Sequence, residues 1–220
     1  MKIHNLSANP SILNTFISEL RDISIQKDSM RFRRNIERIG EILSYELSKS
    51  LSFKSQLIKT PLDDHVSELP QDNIVLCSIL RAGLPLHNGL LNYFDRAESA
   101  FISAYRKHKQ DQLNTFSIEV EYLACPNLDG KTLIVADPML ATGRSMVAVL
   151  KTLEAYGKPK EIHIVSIIGA LPGVEYLSKQ LPEDVHLWIG AIDNELNSKS
   201  YIVPGLGDAG DLAFGEKLQE

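Results

Sequence analysis

The chain has 220 residues, 44% of them hydrophobic, which is enough for one substantial core and excludes a disordered tail or a small disulfide-stapled module. With 28 acidic against 23 basic residues the formal charge is -5, so there is no overall attraction to nucleic acid or anionic lipid, and an anionic ligand has to be held locally. The two cysteines, Cys77 and Cys125, have neither zinc-site nor disulfide-framework spacing, which favours a reducing cytoplasm.

The N-terminal part of the chain predicts two helices within about 9–49. The start, MKIHNLSANP, lacks the apolar segment of a signal peptide, and no apolar run is long enough to cross a bilayer, so we expect a soluble protein with one domain over 1–220. In the first helix Asn9 is the expected cap and Pro10 lies in the first turn. The second has an apolar face from Phe32 to Leu47 and an arginine cluster on its other faces (Arg31, Arg33, Arg34 and Arg38), which we interpret as solvated unless it meets an anionic effector or another subunit.

Beyond residue 70, short β-rich segments alternate with helical ones. The predicted strands lie at 74–79, 99–105, 132–137, 161–168 and 185–190, and the predicted helices at about 84–94, 144–156 and 172–181. This alternation is typical of βαβ units, so we predict an α/β fold with a largely parallel sheet flanked by helices on both faces. Residues 106–122 are polar at first and then alternate as a hairpin does, which predicts a projecting, mobile β-arm.

Ligands of an open parallel sheet bind beyond the carboxyl ends of its strands, and the strongest candidate there is the loop from Asp137 to Ser145. Its backbone N–H groups, with the hydroxyls of Thr142 and Ser145, can hold a phosphate at a helix N-terminus, and Asp137 can accept hydrogen bonds from a vicinal diol. The combination indicates a ribose 5-phosphate. An ordinary turn and helix cap is the alternative, and the loop matches neither GxxxxGK[ST] nor GxGxxG, so neither an ATPase nor a nicotinamide enzyme is indicated.

Two further loops carry candidate residues. The loop from Ser78 to Gly83 offers the cation of Arg81 beside a glycine that lets the backbone approach a ligand. The C-terminal segment at about 201–211 places three glycines around two acids, so we expect neither helix nor regular strand there and a backbone able to read the edge of a planar heterocycle. A surface turn and a flexible tail are the respective alternatives.

Four motifs in this order resemble the uracil phosphoribosyltransferase family: ILRAG at 79–83, the Tyr105-Arg106 pair, DPMLATG at 137–143 and YIVPGLGDAGD at 201–211. The resemblance implies a type I phosphoribosyltransferase fold and a glycosyltransferase reaction of pyrimidine salvage. In that reaction uracil and 5-phospho-α-D-ribose 1-diphosphate (PRPP) give UMP and diphosphate. It further implies Mg²⁺ as cofactor, no nucleic-acid or membrane partner, a homodimer or higher homo-oligomer, and GTP as an allosteric effector of some members.

The same resemblance assigns the site residues. PRPP is assigned to Arg81, Arg106, Asp137, Pro138, Met139, Leu140, Ala141, Thr142, Gly143, Arg144, Ser145 and Asp208. Uracil is assigned to Ile202, Gly207, Asp208 and Ala209, largely through backbone groups. Asp208 and Arg106 are the expected catalytic residues, because cations stabilise the charge that builds on the leaving diphosphate and Asp208 faces the PRPP–magnesium unit. No side chain is expected to ligate Mg²⁺ directly; the ion is held by PRPP, with Asp208 reaching it through water.

One position departs from the family pattern, since Arg144 stands where a second glycine is usual. At positive φ it would cost about 1–2 kcal/mol, and we expect a tolerated change in which Arg144 points outward or adds charge near the phosphate. Two other functions stay open: a pyrimidine-responsive RNA-binding regulator, against which the net charge argues, and a purine phosphoribosyltransferase, which usually has two adjacent acids in place of Asp137-Pro138. The 6 histidines are scattered and are expected to have surface or packing roles.

Overall fold

The computed structural model describes residues 1–108 and 116–217, and for 104–108 and 116–120 it describes the backbone only. The strands are β1 (Lys2–Asn5), β2 (Phe53–Lys59), β3 (Asp64–Pro70), β4 (Ile74–Leu80), β5 (Glu98–His108), β6 (Phe116–Ala124), β7 (Thr132–Ala136), β8 (Met139–Leu140), β9 (Glu161–Ala170), β10 (His186–Asp193), β11 (Glu195–Leu196) and β12 (Ile202–Val203). The helices are α1 (Ile12–Arg21), α2 (Ser29–Ser48), α3 (Gly83–Leu91), α4 (Arg144–Leu153), α5 (Leu171–Gln180) and α6 (Ala209–Phe214), with 3-10 turns at Leu6–Ala8 and Glu154–Tyr156.

The central sheet has eight described strands. Seven of them lie in the order β1-β10-β9-β7-β4-β5-β6, and the short strand β8 pairs with β9 outside this order. Neighbouring strands are parallel except β5 and β6, which form an antiparallel ribbon. After β4 the chain continues to β5 on one side, whereas β7, β9 and β10 lie on the other. Ligand sites of open α/β sheets form at such a switch point, which here lies at the carboxyl ends of β4 and β7.

Helices cover both faces of this sheet. α1, α2, α3 and α6 pack on one face against side chains such as Leu76 and Val165, and α4 and α5 pack on the other against Val75 and Ile164. Consecutive residues of one strand therefore enter different core layers, which explains why β4 and β9 are apolar almost throughout. The predicted α/β fold with a largely parallel sheet is confirmed, as are its five strands and three helices, with bounds that differ by a few residues.

The first helix begins later than the sequence predicts. Ser11 caps it, since the Ser11 Oγ accepts the Leu13 N–H at 3.2 Å and the Asn14 side chain accepts the Ser11 N–H at 3.1 Å. Asn9 and Pro10 precede this reciprocal cap. The prediction that Asn9 caps the helix and that Pro10 lies in its first turn is therefore wrong.

Three strands precede the first one that the sequence predicts. β1 pairs in parallel with β10 at the sheet edge, and β2 and β3 form a separate hairpin in which Leu57 lies opposite Val66. Both hairpin strands are exposed over most of their length, so they lack the buried apolar residues that would have marked them.

The β-arm predicted over 106–122 is confirmed in its paired strands β5 and β6, while residues 109–115 lie outside the described chain. The mobility expected of this arm stays a prediction. None of the helices in 1–108 and 116–217 has the length and apolar composition needed to cross a bilayer.

Candidate active site

The segment from Asp137 to Ser145, here called the phosphate loop, leaves the carboxyl end of β7 and opens α4. The Asp137 N–H donates to the Val165 carbonyl at 3.1 Å, and the Asp137 carbonyl accepts the Ser166 hydroxyl at 2.7 Å. β8 then runs beside β9, with Met139 opposite Ile168. The start of the loop is therefore fixed to the sheet by backbone hydrogen bonds.

The phosphate loop turns into α4 at Gly143, whose φ of 73° is the left-handed conformation that favours glycine. Gly143 caps α4 without a side-chain hydrogen bond, and the Thr142 hydroxyl lies 3.5 Å from the Arg144 N–H. The first-turn N–H groups and the positive end of the helix dipole thus face a small open depression. Its lining consists of Asp137, Met139, Leu140, Ala141, Thr142, Gly143, Ser145 and Met146. This geometry suits a phosphate group.

Arg144 is the first residue of α4, and its backbone is not strained. Among the described residues other than glycine, only Ser200 has a positive φ. Arg144 therefore does not carry the cost of about 1–2 kcal/mol that a positive φ would impose. The Arg144 guanidinium is exposed and lies 5.9 Å from the centroid of the Tyr176 ring on α5. A cation–π contact of this kind holds the cation beside the phosphate loop.

Arg81 follows β4 and reaches the C-terminal segment. Its Nη2 donates to the Asp211 Oδ1 at 2.8 Å, with side chains that are 40% and 29% exposed. The peptide bond before Arg81 is cis. Two residues further, a Cβ on Gly83 would lie 3.2 Å from the Ala136 carbonyl oxygen at the end of β7. The Arg81 loop therefore lies between the phosphate loop and the C-terminal segment.

Asp208 caps α6 with one carboxylate oxygen, which accepts the N–H groups of Gly210 at 2.8 Å and Asp211 at 3.0 Å. The other oxygen accepts Lys217 Nζ at 3.0 Å. Burial acts to raise the pKa of Asp208, but the Asp211 N–H, the Lys217 ammonium and the Gly210 N–H together hold that pKa below its ordinary value. The carboxylate is therefore ionised at neutral pH.

The C-terminal segment is more regular than the sequence predicts. The expectation of neither helix nor strand at 201–211 is wrong, because Ile202 pairs with Leu196 in an antiparallel bridge and Asp208 supplies the cap that starts α6 despite the glycines. Between them lies a turn at Gly205, whose φ is 59° and where a Cβ would be 2.1 Å from the Ile202 carbonyl oxygen. Because the side chains of Ile202 and Ala209 are buried, a ligand at this segment meets mainly backbone groups.

The structure therefore brings three of the predicted groups together at the carboxyl edge of the sheet: the phosphate loop, Arg81 and the C-terminal segment. Arg106 lies on β5 in the stretch where only the backbone is described, so its role stays a prediction. Sequence reasoning did not single out three residues that contact these segments: Gly173 on α5 beside the phosphate loop, and Arg21 and Asp193, which both bind Gly205. Asp193 ends β10, three residues beyond the strand predicted at 185–190, and its place after that strand on the ligand side of the sheet is the one signal that could have identified it.

Comparisons with known proteins agree with this geometry. A family model described as "Uracil phosphoribosyltransferase" matches residues 7–216. The chain is 53% identical over 218 residues to a protein named "Uracil phosphoribosyltransferase" from Porphyromonas gingivalis, covering 99% of this chain and 100% of that one.

Solved structures show the same fold. The AQ2163 protein from Aquifex aeolicus matches with a TM-score of 0.86 and 26% identity over 99% of this chain and 100% of that chain. A hypoxanthine phosphoribosyltransferase from Staphylococcus aureus matches with a TM-score of 0.50 and 14% identity over 74% and 76%. The predicted type I phosphoribosyltransferase fold is thereby confirmed, and the extent of the family match shows that the chain belongs to the uracil phosphoribosyltransferase family.

Proposed function

We propose that this chain transfers the 5-phosphoribosyl group of PRPP to N1 of uracil and releases UMP and diphosphate, a step of pyrimidine salvage. The observation that carries the proposal is the contact of Arg81 with Asp211 at 2.8 Å, beside the phosphate loop. This contact joins Arg81, which is assigned to PRPP, to the segment assigned to uracil, at the switch point of the sheet.

The phosphate loop binds the ribose 5-phosphate. The phosphate lies at the N-terminus of α4, where N–H groups and the hydroxyls of Thr142 and Ser145 donate to its oxygens. The Asp137 carboxylate accepts the ribose hydroxyls. Its Oδ1 also accepts the Met139 N–H at 3.1 Å, which orients the carboxylate toward the depression.

The reaction exchanges two bonds at ribose C1. The bond from C1 to the diphosphate oxygen breaks, the bond from C1 to uracil N1 forms, and the N1 proton is released. Positive charge builds on the ribose and negative charge on the diphosphate, so Arg81 and Arg106 stabilise the leaving group. Backbone groups of Ile202 and of the 207–209 segment hold uracil with N1 directed at C1.

The residues present fit Mg²⁺ held mainly by substrate oxygens. In the described chain no group of three or more His, Cys, Asp or Glu side chains could hold a metal ion, but the ionised Asp208 lies beside Asp211 at this edge. Mg²⁺ commonly combines one or two carboxylates with substrate phosphates and several waters. When bound, Mg²⁺ would neutralise charge on the diphosphate, and Asp208 would help to hold it through water.

The proposal includes the finer features that the family resemblance implies: a cytoplasmic location, assembly into a dimer or larger homo-oligomer, and activation by GTP. The free thiols of Cys77 and Cys125 support a reducing compartment. The α2 arginines, candidates for an anionic contact, are engaged within the chain: Arg31 lies 3.2 Å from Glu19 and Arg34 lies 2.7 Å from Glu37. These ion pairs favour a structural role for the α2 arginines. No observation on the described surface supports the RNA-binding alternative.

The test is to mix the protein, PRPP and Mg²⁺ with each nucleobase in turn and to identify the product by chromatography and mass. We expect UMP and diphosphate with uracil and no purine mononucleotide. A purine mononucleotide in place of UMP would favour the purine alternative, and no mononucleotide with any base would overturn the proposal. The Asp137→Asn variant is expected to lose about a hundredfold in kcat/KM while remaining folded.

A further inference from the structure

A charged pair joins the N-terminal helix to the end of the sheet. Arg21, the last residue of α1, forms a bidentate pair with Asp193, the last residue of β10: Nη1 donates to Oδ2 and Nη2 to Oδ1, both at 2.7 Å. The two side chains are 22% and 9% exposed. A guanidinium that binds a carboxylate at two points in a largely buried setting fixes the orientation of both groups.

The same two side chains hold Gly205 at both of its backbone polar groups. The Asp193 Oδ2 accepts the Gly205 N–H at 3.0 Å, and the Arg21 Nη1 donates to the Gly205 carbonyl at 2.9 Å. Gly205 lies between Ile202 and Gly207, both assigned to uracil under the proposed function. The peptide groups of the base-binding segment are therefore anchored at its central turn.

Gln26 adds a second anchor at the next residue. Its Nε2 donates to the Leu206 carbonyl at 3.1 Å and to the Leu20 carbonyl in α1 at 2.8 Å. Two consecutive carbonyls of the segment, those of Gly205 and Leu206, thus accept hydrogen bonds from residues of the N-terminal region. A site that reads a base through its backbone depends on such supports, because a small displacement misaligns every hydrogen bond to the base.

We propose that Arg21, Asp193 and Gln26 are positioning residues for the acceptor base. They set the orientation of the peptide groups from Gly205 to Ala209 and so determine the affinity for uracil, without touching the base. This inference rests on the proposed function and makes the N-terminal helix, which carries no family motif, part of base binding.

The test compares two aspartates that make similar contacts at opposite ends of the sheet. Asp72 pairs with Lys160 and accepts the Ser52 N–H at 2.8 Å and the Thr132 hydroxyl at 3.1 Å, just before β4 begins, and its side chain is fully buried. Asp193→Asn should raise the KM for uracil by about tenfold or more, with the KM for PRPP within about twofold of the unmodified chain. Asp72→Asn should lower the melting temperature but leave both KM values unchanged.

Gln26→Met is the second variant, because it removes the donor to Leu206 while retaining a side chain of similar size. It should raise the KM for uracil by about threefold to tenfold. A uracil KM that is unchanged in both Asp193→Asn and Gln26→Met, or KM values for uracil and PRPP that rise by the same factor, would overturn the inference.

Hydrogen exchange of residues 202–209 gives a readout that needs no activity. Exchange should be faster in Asp193→Asn than in the unmodified chain and unchanged in Asp72→Asn; equal exchange in all three would show that the pair does not hold the segment. If the unmodified chain forms no UMP, the proposed function fails. If Asp193→Asn nevertheless exchanges faster, the Arg21–Asp193 pair still anchors the segment, and only its role in uracil binding is overturned.

Discussion

Gly143 and Gly173 are in direct backbone contact: a Cβ on Gly143 would lie 2.9 Å from the Gly173 carbonyl oxygen. The approach is closer still on the other side, since a Cβ on Gly173 would lie 2.0 Å from the Ala141 carbonyl oxygen. The phosphate loop therefore rests on the first turn of α5 with no side chain between them. Its position depends on α5 as well as on β7 and α4.

Gly173→Ala should displace the phosphate loop. The added methyl group has to push the Ala141 backbone away, and overpacking of this kind costs about 1–3 kcal/mol. We expect the KM for PRPP to rise by about tenfold or more in steady-state assays with saturating uracil. The matched control is Gly89→Ala, where a Cβ would lie 2.2 Å from the Glu37 carbonyl oxygen between α3 and α2. A PRPP KM raised equally in both variants would mean that the effect is general destabilisation.

Arg144→Gly should change the KM for PRPP by less than about tenfold. Arg144 has unstrained helical geometry and an exposed guanidinium over the Tyr176 ring, so we expect the arginine to be tolerated at a position where the resemblance predicts glycine. Titration of PRPP at two salt concentrations measures the effect. A larger change that weakens with salt would place the guanidinium on the phosphate.

The sequence predicts most strands of the central sheet and the positions of the phosphate loop and of the Arg81 loop at its carboxyl edge, because these depend on local signals. The strand over 132–137 is apolar on both faces, and Thr142 and Gly143 follow directly at the start of a helix. The roles of Arg21 and Asp193 could not be predicted in this way. They lie 172 positions apart and meet only because α1 packs beside the end of β10, so no local pattern marks them. The start of α1 could not be predicted for a different reason. Asn9 and Ser11 are both good helix caps, and only the structure shows that Ser11 caps the helix.

Arg81→Gln should lower kcat/KM by about a hundredfold. Under the proposed function the substitution removes a cation that stabilises the leaving diphosphate. The ion pair of Arg81 with Asp211 is partly exposed and contributes at most about 1 kcal/mol to stability. Melting curves should therefore change little. The control is Arg31→Gln on α2, which breaks an exposed pair with Glu19 and should leave kcat/KM unchanged. Similar catalytic losses in both variants would remove Arg81 from the site.

His4, His163 and His186 meet around Trp188 at the end of the sheet opposite the phosphate loop. The His4 Nε2 lies 3.1 Å from the His186 Nδ1, and the Trp188 Nε1–H donates to the His163 Nδ1 at 3.1 Å. Burial, followed by repulsion from His186, lowers the pKa of His163 to about 4, and burial also lowers the pKa of His4 and His186. The cluster is thus neutral in the folded protein near pH 7.

The free energy of unfolding should therefore fall as the pH decreases from about 6.5 to about 4. In this interval the unfolded chain binds protons that the folded chain excludes, and His163 alone accounts for about 3 kcal/mol at the lower limit. Urea unfolding at a series of pH values measures the slope. His163→Gln should flatten it, whereas His65→Gln on the exposed strand β3 should not; equal slopes in all three proteins would contradict this account.

Cytosine should be a poor substrate. Under the proposed function the backbone of the 202–209 segment binds the pyrimidine edge. An N–H that donates to O4 of uracil would then face the amino group of cytosine, another donor. An unmet buried donor costs about 1–3 kcal/mol, so we expect uracil to be preferred by about ten- to a hundredfold in kcat/KM. A competition assay with both bases at equal concentration measures this ratio directly. 5-Fluorouracil retains O4 and should react at a rate close to that of uracil. This control separates recognition of O4 by hydrogen bonds from the effect of a substituent on the ring. Cytosine turnover equal to that of uracil would mean that the segment does not read this edge of the base.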